Sequence, residues 1–208
     1  MIPVKILAVQ YLPGADRVLC EKLGAPVGYQ SLGLITTDCD DATYIALDEA
    51  TKAADVRVCC GRSFYAGASN ASTPYAGEVI GVLAARTPGD LRSGMESAVA
   101  FLKNIGFSEV GGIPYLAHTV SRCGSFLAEE AGVPVGSPLA YLIAPPLESM
   151  YAMDYALKAA DTKLCKLYTP PSETNFGGGL LTGTQSACTA ACTAFSAAIA
   201  TVATKPIN

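Results

Sequence analysis

Lys52-Ala-Ala-Asp55 recurs as Lys158-Ala-Ala-Asp161, 106 residues further along the chain. At that spacing residues 31–59 align without a gap on residues 137–165, and nine of the 29 positions are identical: Ser31, Ala46, Asp48, Ala50, Lys52, Ala53, Ala54, Asp55 and Cys59 with their counterparts. Upstream, Gly24-Ala-Pro-Val-Gly28 matches Gly132-Val-Pro-Val-Gly136 at a spacing of 108, so the first copy carries two extra residues near Tyr29 and Gln30. Two matched blocks in the same order indicate a duplication with copies at 1–104 and 105–208. The period is too long and the copies too few for a solenoid. Two similar domains in one chain form a pseudo-symmetric pair suited to a closed oligomer.

The same order of elements is predicted in each copy. An apolar strand-like stretch opens it (4–11 and 115–120), and a short helix follows (15–23 and 125–131), ending in the Gly-x-Pro-Val-Gly turn. A strand (31–37 and 139–144) leads into a helix (41–54 and 147–160), which Asp40 or Asp41 is placed to cap. A second strand (56–60 and 162–168) precedes a Gly/Ser/Pro-rich stretch (61–77 and 169–179), the kind of loop that carries function. A third strand (78–85 and, more weakly, 179–183) and a closing helix (90–103 and 186–203) complete the copy. The expected class is α/β or α+β, with a small, mostly antiparallel sheet flanked by helices in each copy.

Composition narrows the function. Half of the 208 residues are hydrophobic, 15% are charged, and mean hydropathy is +0.34. Such a chain either spans a membrane or buries much surface against other chains. A membrane span needs about 18 or more consecutive apolar residues. Here residues 139–147 are interrupted by Pro145 and Pro146, and residues 190–203 carry Thr193, Ser196 and Thr201. Large protein interfaces are therefore expected, and no membrane. The start, Met1-Ile-Pro-Val-Lys5, lacks the pattern of a signal peptide. Eight cysteines are then expected to stay reduced in the cytoplasm. A net charge of −4 and a pI near 5.0 argue against a nucleic-acid partner.

Few residues suggest chemistry. Cys188 and Cys192 share a helix face at i, i+4 but lack the spacing of a zinc knuckle, and read as small buried side chains. Cys59 and Cys60, adjacent on a strand, are expected to face opposite ways. His118 is the only histidine, in an apolar strand, and reads as a core or interface residue. Gly177-Gly-Gly179 has neither the Walker lysine nor the Rossmann spacing and reads as a flexible loop end. Asp38-Cys-Asp-Asp41 places three carboxylates in four residues, to cap a helix or attract a cation. Glu78 is placed to join them. No catalytic set emerges.

Several blocks together resemble the ethanolamine-utilisation type of bacterial microcompartment shell protein. They are Ser31-Leu-Gly-Leu-Ile35, Asp40-Asp41, Asp48-Glu-Ala-Thr-Lys52, Gly61-Arg-Ser-Phe-Tyr-Ala-Gly67 and Ala76-Gly-Glu78, then Leu116-Ala-His118, Val120-Ser-Arg122, Ala144-Pro-Pro-Leu-Glu148 and Pro170-Pro-Ser-Glu-Thr-Asn175. The resemblance covers nearly the whole chain. It implies two tandem, circularly permuted microcompartment domains, not an enzyme, in the shell of a compartment in the bacterial cytoplasm. It implies a homotrimer with pseudo-sixfold symmetry that tiles with other shell proteins. A central gated pore would use Arg62, Phe64, Tyr65, Gly67 and Asn70 from one loop, with Asn175 and Phe176 from another. A smaller pore in each subunit would gather Asp40, Asp41, Glu78, Phe107 and Thr174. Carboxylates, an aromatic face and a hydroxyl suit ethanolamine, an ammonium alcohol. The family works beside a cobalamin-dependent ammonia-lyase, and cobalamin would need the larger pore. No resident cofactor or metal is implied. The competing reading is a shell protein carrying a metal or iron–sulfur cluster on Cys59, Cys60, Cys188 and Cys192. A cytosolic enzyme using His118 or the acidic cluster ranks last.

Overall fold

One strand order is built twice. The computed structural model describes residues 1–63, 79–170 and 176–207. The chain falls into two units, one of Pro3–Ile105 with Gly124–Leu127, the other of Met1–Ile2, Gly106–Cys123 and Ala128–Asn208. The edge strand β1 (Ile2–Pro3) precedes the first copy. That copy contains β2 (Ile6–Leu12), α1 (Arg17–Lys22), β3 (Ser31–Thr37), α2 (Asp40–Ala53), β4 (Val56–Ser63), β5 (Val79–Ala85) and α3 (Pro88–Leu102). Its antiparallel sheet runs β2-β3-β5-β4. The central strands β3 and β5 are nearly continuously buried, with α2 and α3 covering one sheet face. Ile35, Leu47, Leu83, Leu91 and Met95 are fully buried there, and Leu32 is fully buried in a separate cluster with Cys20 and Tyr29.

The second copy contains β6 (Gly106–Val110), β7 (Ile113–Val120), α4 (Ser125–Ala131), β8 (Leu139–Ala144), α5 (Pro146–Ala159), β9 (Thr162–Tyr168), β10 (Gly177–Gly183) and α6 (Gln185–Thr204). Its order β7-β8-β10-β9 repeats that of the first sheet, and β6 and β1 extend the β7 edge. The fold is thus α+β, with two mostly antiparallel sheets flanked by helices. α5 begins and ends 106 residues after α2. The closing helices are each capped by a threonine, Thr87 accepting from the Asp90 N–H and Thr184 from that of Ala187.

The turns after α1 and α4 share three backbone hydrogen bonds at the spacing of 108. Gly24 and Gly132 donate to the carbonyls of Glu21 and Glu129, Ala25 and Val133 to those of Cys20 and Ala128, and Tyr29 and Ser137 to those of Pro26 and Pro134. Gly24 and Gly132, with φ of 81° and 64°, end their helices in the left-handed conformation that glycine adopts without strain.

Two expectations are corrected. Gly177-Gly-Gly179 is not a loop end but the buried start of β10, paired on both sides. A Cβ on Gly178 would lie 1.9 Å from the Leu142 carbonyl oxygen, so glycine is required by close strand packing. Cys59 and Cys60 do not simply alternate, since a register shift between Val58 and Cys60 breaks the pleat. Both side chains pack against the cluster of Cys20, Tyr29, Leu32 and Val82. The strands β1 and β6 were not anticipated.

α6 is long and apolar enough, by length and composition, to cross a membrane. Its Cys188, Ala191, Phe195 and Ile199 pack with Leu142, Met153 and Leu181 in the core of its own unit. Thr189, Thr193 and Thr201 on its exposed side return their hydroxyls to carbonyls one turn back. That is the pattern of a helix lying against a sheet.

Candidate functional site

Asp40 and Asp41 open α2 as its first two residues and are both buried. Neither is the helix cap. Cys39 holds that position with no capping side chain, and the hydroxyls of Thr37 and Thr43 both donate to its carbonyl. The two carboxylates instead sit in the first turn, where the helix dipole favours negative charge. Asp40 Oδ1 accepts the Asp41 N–H at 2.9 Å, and its Oδ2 accepts the Ser63 hydroxyl at 2.7 Å. Ser63 Oγ lies 2.7 Å from the Tyr44 hydroxyl. Since the one Ser63 proton goes to Asp40, Tyr44 must donate, giving a relay Tyr44–Ser63–Asp40. Burial pushes the Tyr44 phenol up to about 12, with the charges of Asp40 and Asp41 adding to it. Burial, then the Asp41 charge, raises the Cys39 thiol well above its ordinary value.

The acidic cluster read from the sequence therefore divides. Asp38 accepts the Lys5 N–H at 2.8 Å and ties β2 to the end of β3, leaving Asp40 and Asp41 with Ser63 and Tyr44. In the other unit, Phe107 on β6 meets Phe176 edge-on, with ring centroids 5.8 Å apart. Arg62 is exposed on β4, opposite Ile80. Phe64, Tyr65, Gly67, Asn70 and Glu78, with Thr174 and Asn175, lie outside the described residues.

The sequence reading missed Asp48. Fully buried on α2, it accepts the N–H groups of Gly124 at 2.6 Å and Leu127 at 2.9 Å, while Thr51 Oγ1 accepts that of Ser125 at 3.0 Å. Burial raises the Asp48 pKa and the two N–H donors oppose the rise. The signal was its identity with Asp154 across the repeat.

Burial pushes the Cys59 thiol up to about 12 and that of Cys192 to about 11. Cys188 is raised by the same cause. Among the described residues no group of three or more His, Cys, Asp or Glu is placed to hold a metal ion. His118 sits on β7 opposite Tyr141 of β8.

No family model matches the chain. Whole-length comparison is decisive instead. The chain is 52% identical, over its entire length and 98% of the relative's, to the bacterial microcompartment shell protein EutL of Clostridium perfringens, and 44% identical to that of Escherichia coli over all of this chain and 97% of the relative. The chain belongs to the EutL family of microcompartment shell proteins.

EutL structures agree. The crystal structure from Leptotrichia buccalis superposes with a TM-score of 0.95 at 54% identity, covering all of this chain and 97% of that one. EutL from Clostridium perfringens gives 0.96 over all of this chain and 96% of the other. The shell protein PduB, 19% identical, shares the fold at a TM-score of 0.77 over 91% of this chain and 85% of its own. EutL relatives are named as shell proteins, a structural role rather than an enzymatic one. Membership in the EutL family places the chain in the shell of a microcompartment in the bacterial cytoplasm, among other shell proteins.

Proposed function

We propose that three copies of this chain form a pseudohexameric tile of an ethanolamine-utilisation microcompartment shell, each contributing two tandem domains, 1–104 and 105–208. The doubled fold supports this reading, because two like domains per chain turn a threefold ring into one with six similar sectors. Arg62, Phe64, Tyr65, Gly67 and Asn70 would form the gate of a central pore with Asn175 and Phe176. Cobalamin, if it crosses, needs that larger opening.

The small pore of each subunit binds ethanolamine in this reading, through Asp40, Asp41, Glu78, Phe107 and Thr174. The single observation that favours it is the buried, prearranged Asp40–Asp41 pair, one of whose oxygens is fixed by Ser63. Two carboxylates at reduced exposure attract a small ammonium ion more strongly than a solvated pair does. Ligand binding shifts the gate only as far as it binds the open and closed states differently.

Titration calorimetry with ethanolamine tests the site. Wild type should bind and Asp40→Asn should lose binding by tenfold or more, the loss of one charged partner. Unchanged affinity in Asp40→Asn removes the carboxylate from the site.

A further inference from the structure

Behind the acidic pair stands a support that the second copy lacks. Gly61 and Ser63 lie two residues apart on β4 and so present the same face of the strand. Tyr44, one turn along α2 from Asp40, lies across both. Its ring rests on Gly61, where an added Cβ would stand 3.4 Å from Cδ1 and Cε1, and its hydroxyl reaches Ser63 Oγ at 2.7 Å. Phe126, in the first turn of α4, backs the ring with centroids 6.2 Å apart, and the same Cβ would come within 3.2 Å of its Cζ. Glycine at 61 is the notch that seats both rings. Asp40 is thereby held at both oxygens, Oδ1 by the Asp41 N–H and Oδ2 by a Ser63 hydroxyl that Tyr44 itself aims.

At the spacing of 106, Asp40, Asp41, Tyr44 and Gly61 correspond to Pro146, Leu147, Met150 and Leu167, and only a hydroxyl persists, on Thr169 in place of Ser63. The second sheet nevertheless has the same strand order. It also has the same bulge, since the register shift between Val58 and Cys60 opposite β5 recurs between Leu164 and Lys166 opposite β10. The fold is therefore complete without the tyrosine and the glycine notch. Ring, notch and carboxylates occur together in one copy and are missing together from the other. Tyr44 and Gly61 thus serve the carboxylates rather than the sheet.

We infer that Tyr44 is a positioning residue for Asp40, acting through Ser63, and that the carboxylate plane it fixes makes the site select cations that donate N–H over alkali ions of the same size and charge. This rests on the ethanolamine reading of the small pore given above. Two buried carboxylates draw any small cation by charge, an attraction set by distance and not by direction. An N–H···O bond weakens steeply when misaligned and gains strength from the two charges when aligned. Fixing the carboxylate plane therefore strengthens the hold on an ammonium group and leaves the pull on an alkali ion as it was.

Ammonium and potassium are the probes, because the two ions are nearly equal in radius and charge and only ammonium donates a hydrogen bond. Each chloride salt is titrated against bound ethanolamine by calorimetry, at matched concentrations so that screening is the same. In wild type, ammonium should displace ethanolamine about tenfold more effectively than potassium, the worth of one charge-assisted hydrogen bond. Tyr44→Phe keeps the ring and removes the proton that aims Ser63. In this variant ethanolamine should bind about threefold more weakly and the preference for ammonium should fall to about threefold, with potassium unchanged. Equal weakening of all three cations would mean a loosened site and overturns the positioning role, as does a variant identical to wild type. Equal displacement by the two salts in wild type overturns the selectivity while the ethanolamine site stands. A wild type that binds no ethanolamine overturns the small-pore reading, and this inference with it.

Discussion

The carboxylate of Asp48 accepts the backbone N–H of Leu127 across 79 residues of sequence, at 2.9 Å, and that of Gly124 with its other oxygen. A helix start that has glycine instead of a capping side chain thus takes its cap from another helix. Removing the carboxylate leaves two buried donors unsatisfied. Asp48→Ala should therefore cost roughly 2–4 kcal/mol. Thermal unfolding should show a midpoint lower by roughly 5 °C or more for a chain of this size. An unchanged midpoint would show that water replaces the carboxylate at no cost.

Asp48 also predicts a pH dependence. Burial raises its pKa in the folded chain above the ordinary 3.8, so the folded state holds this proton more tightly than the unfolded one. The stability this adds is complete below the ordinary value and is lost as pH rises through the raised one. In wild type, denaturant midpoints should fall as pH climbs out of that range. Asp48→Asn should flatten this part of the curve, and an identical slope in both proteins would assign the dependence to other groups.

Gly178 allows no side chain. Its φ of 143° and the Leu142 carbonyl 1.9 Å from any Cβ mean that Gly178→Ala must push β10 away from β8. The expected cost is on the order of 3 kcal/mol, read as a fall in the denaturant midpoint. A midpoint within error of wild type would contradict the close packing described.

Ser63→Ala removes the hydroxyl that orients Asp40 without touching either carboxylate. Ethanolamine affinity should weaken about fivefold, the equivalent of one ordinary hydrogen bond. Calorimetry that finds Asp40→Asn impaired and Ser63→Ala unaltered would mean Asp40 needs no orienting partner.

Cys59, with its thiol pushed up to about 12, should be alkylated by iodoacetamide at pH 8 on the order of a hundredfold more slowly than a solvent-exposed cysteine. Peptide mass spectrometry over a time course measures this. Rapid labelling would contradict burial as the controlling cause.

The repeat made most of the fold legible. The limits of α2 and α5 to within a residue, the turns after α1 and α4, and the order of elements along each copy follow from two copies that check each other, whereas the order of strands across each sheet emerges only in the structure. The ribbon of β1 and β6 escaped because one strand has two residues and the other carries exposed Ser108 and Glu109, giving no apolar run to read. The glycines of β10 were misread because glycine signals a loop when alone and a close approach when a neighbouring strand demands it. At the candidate site, Asp40 and Asp41 were legible as a local cluster, whereas Ser63 and Tyr44 join them only through the pairing of β4 with β5 and the packing of α2 on the sheet. Asp48 was hidden for the same reason, since its donors lie in the other copy.

The measurement that bears most directly on the shell-tile account is the solution mass by light scattering, followed by electron microscopy of the concentrated protein. The account predicts a particle of three chains of 21.4 kDa each that grows into flat sheets with hexagonal order. A monomer that forms no sheets at any concentration would contradict it.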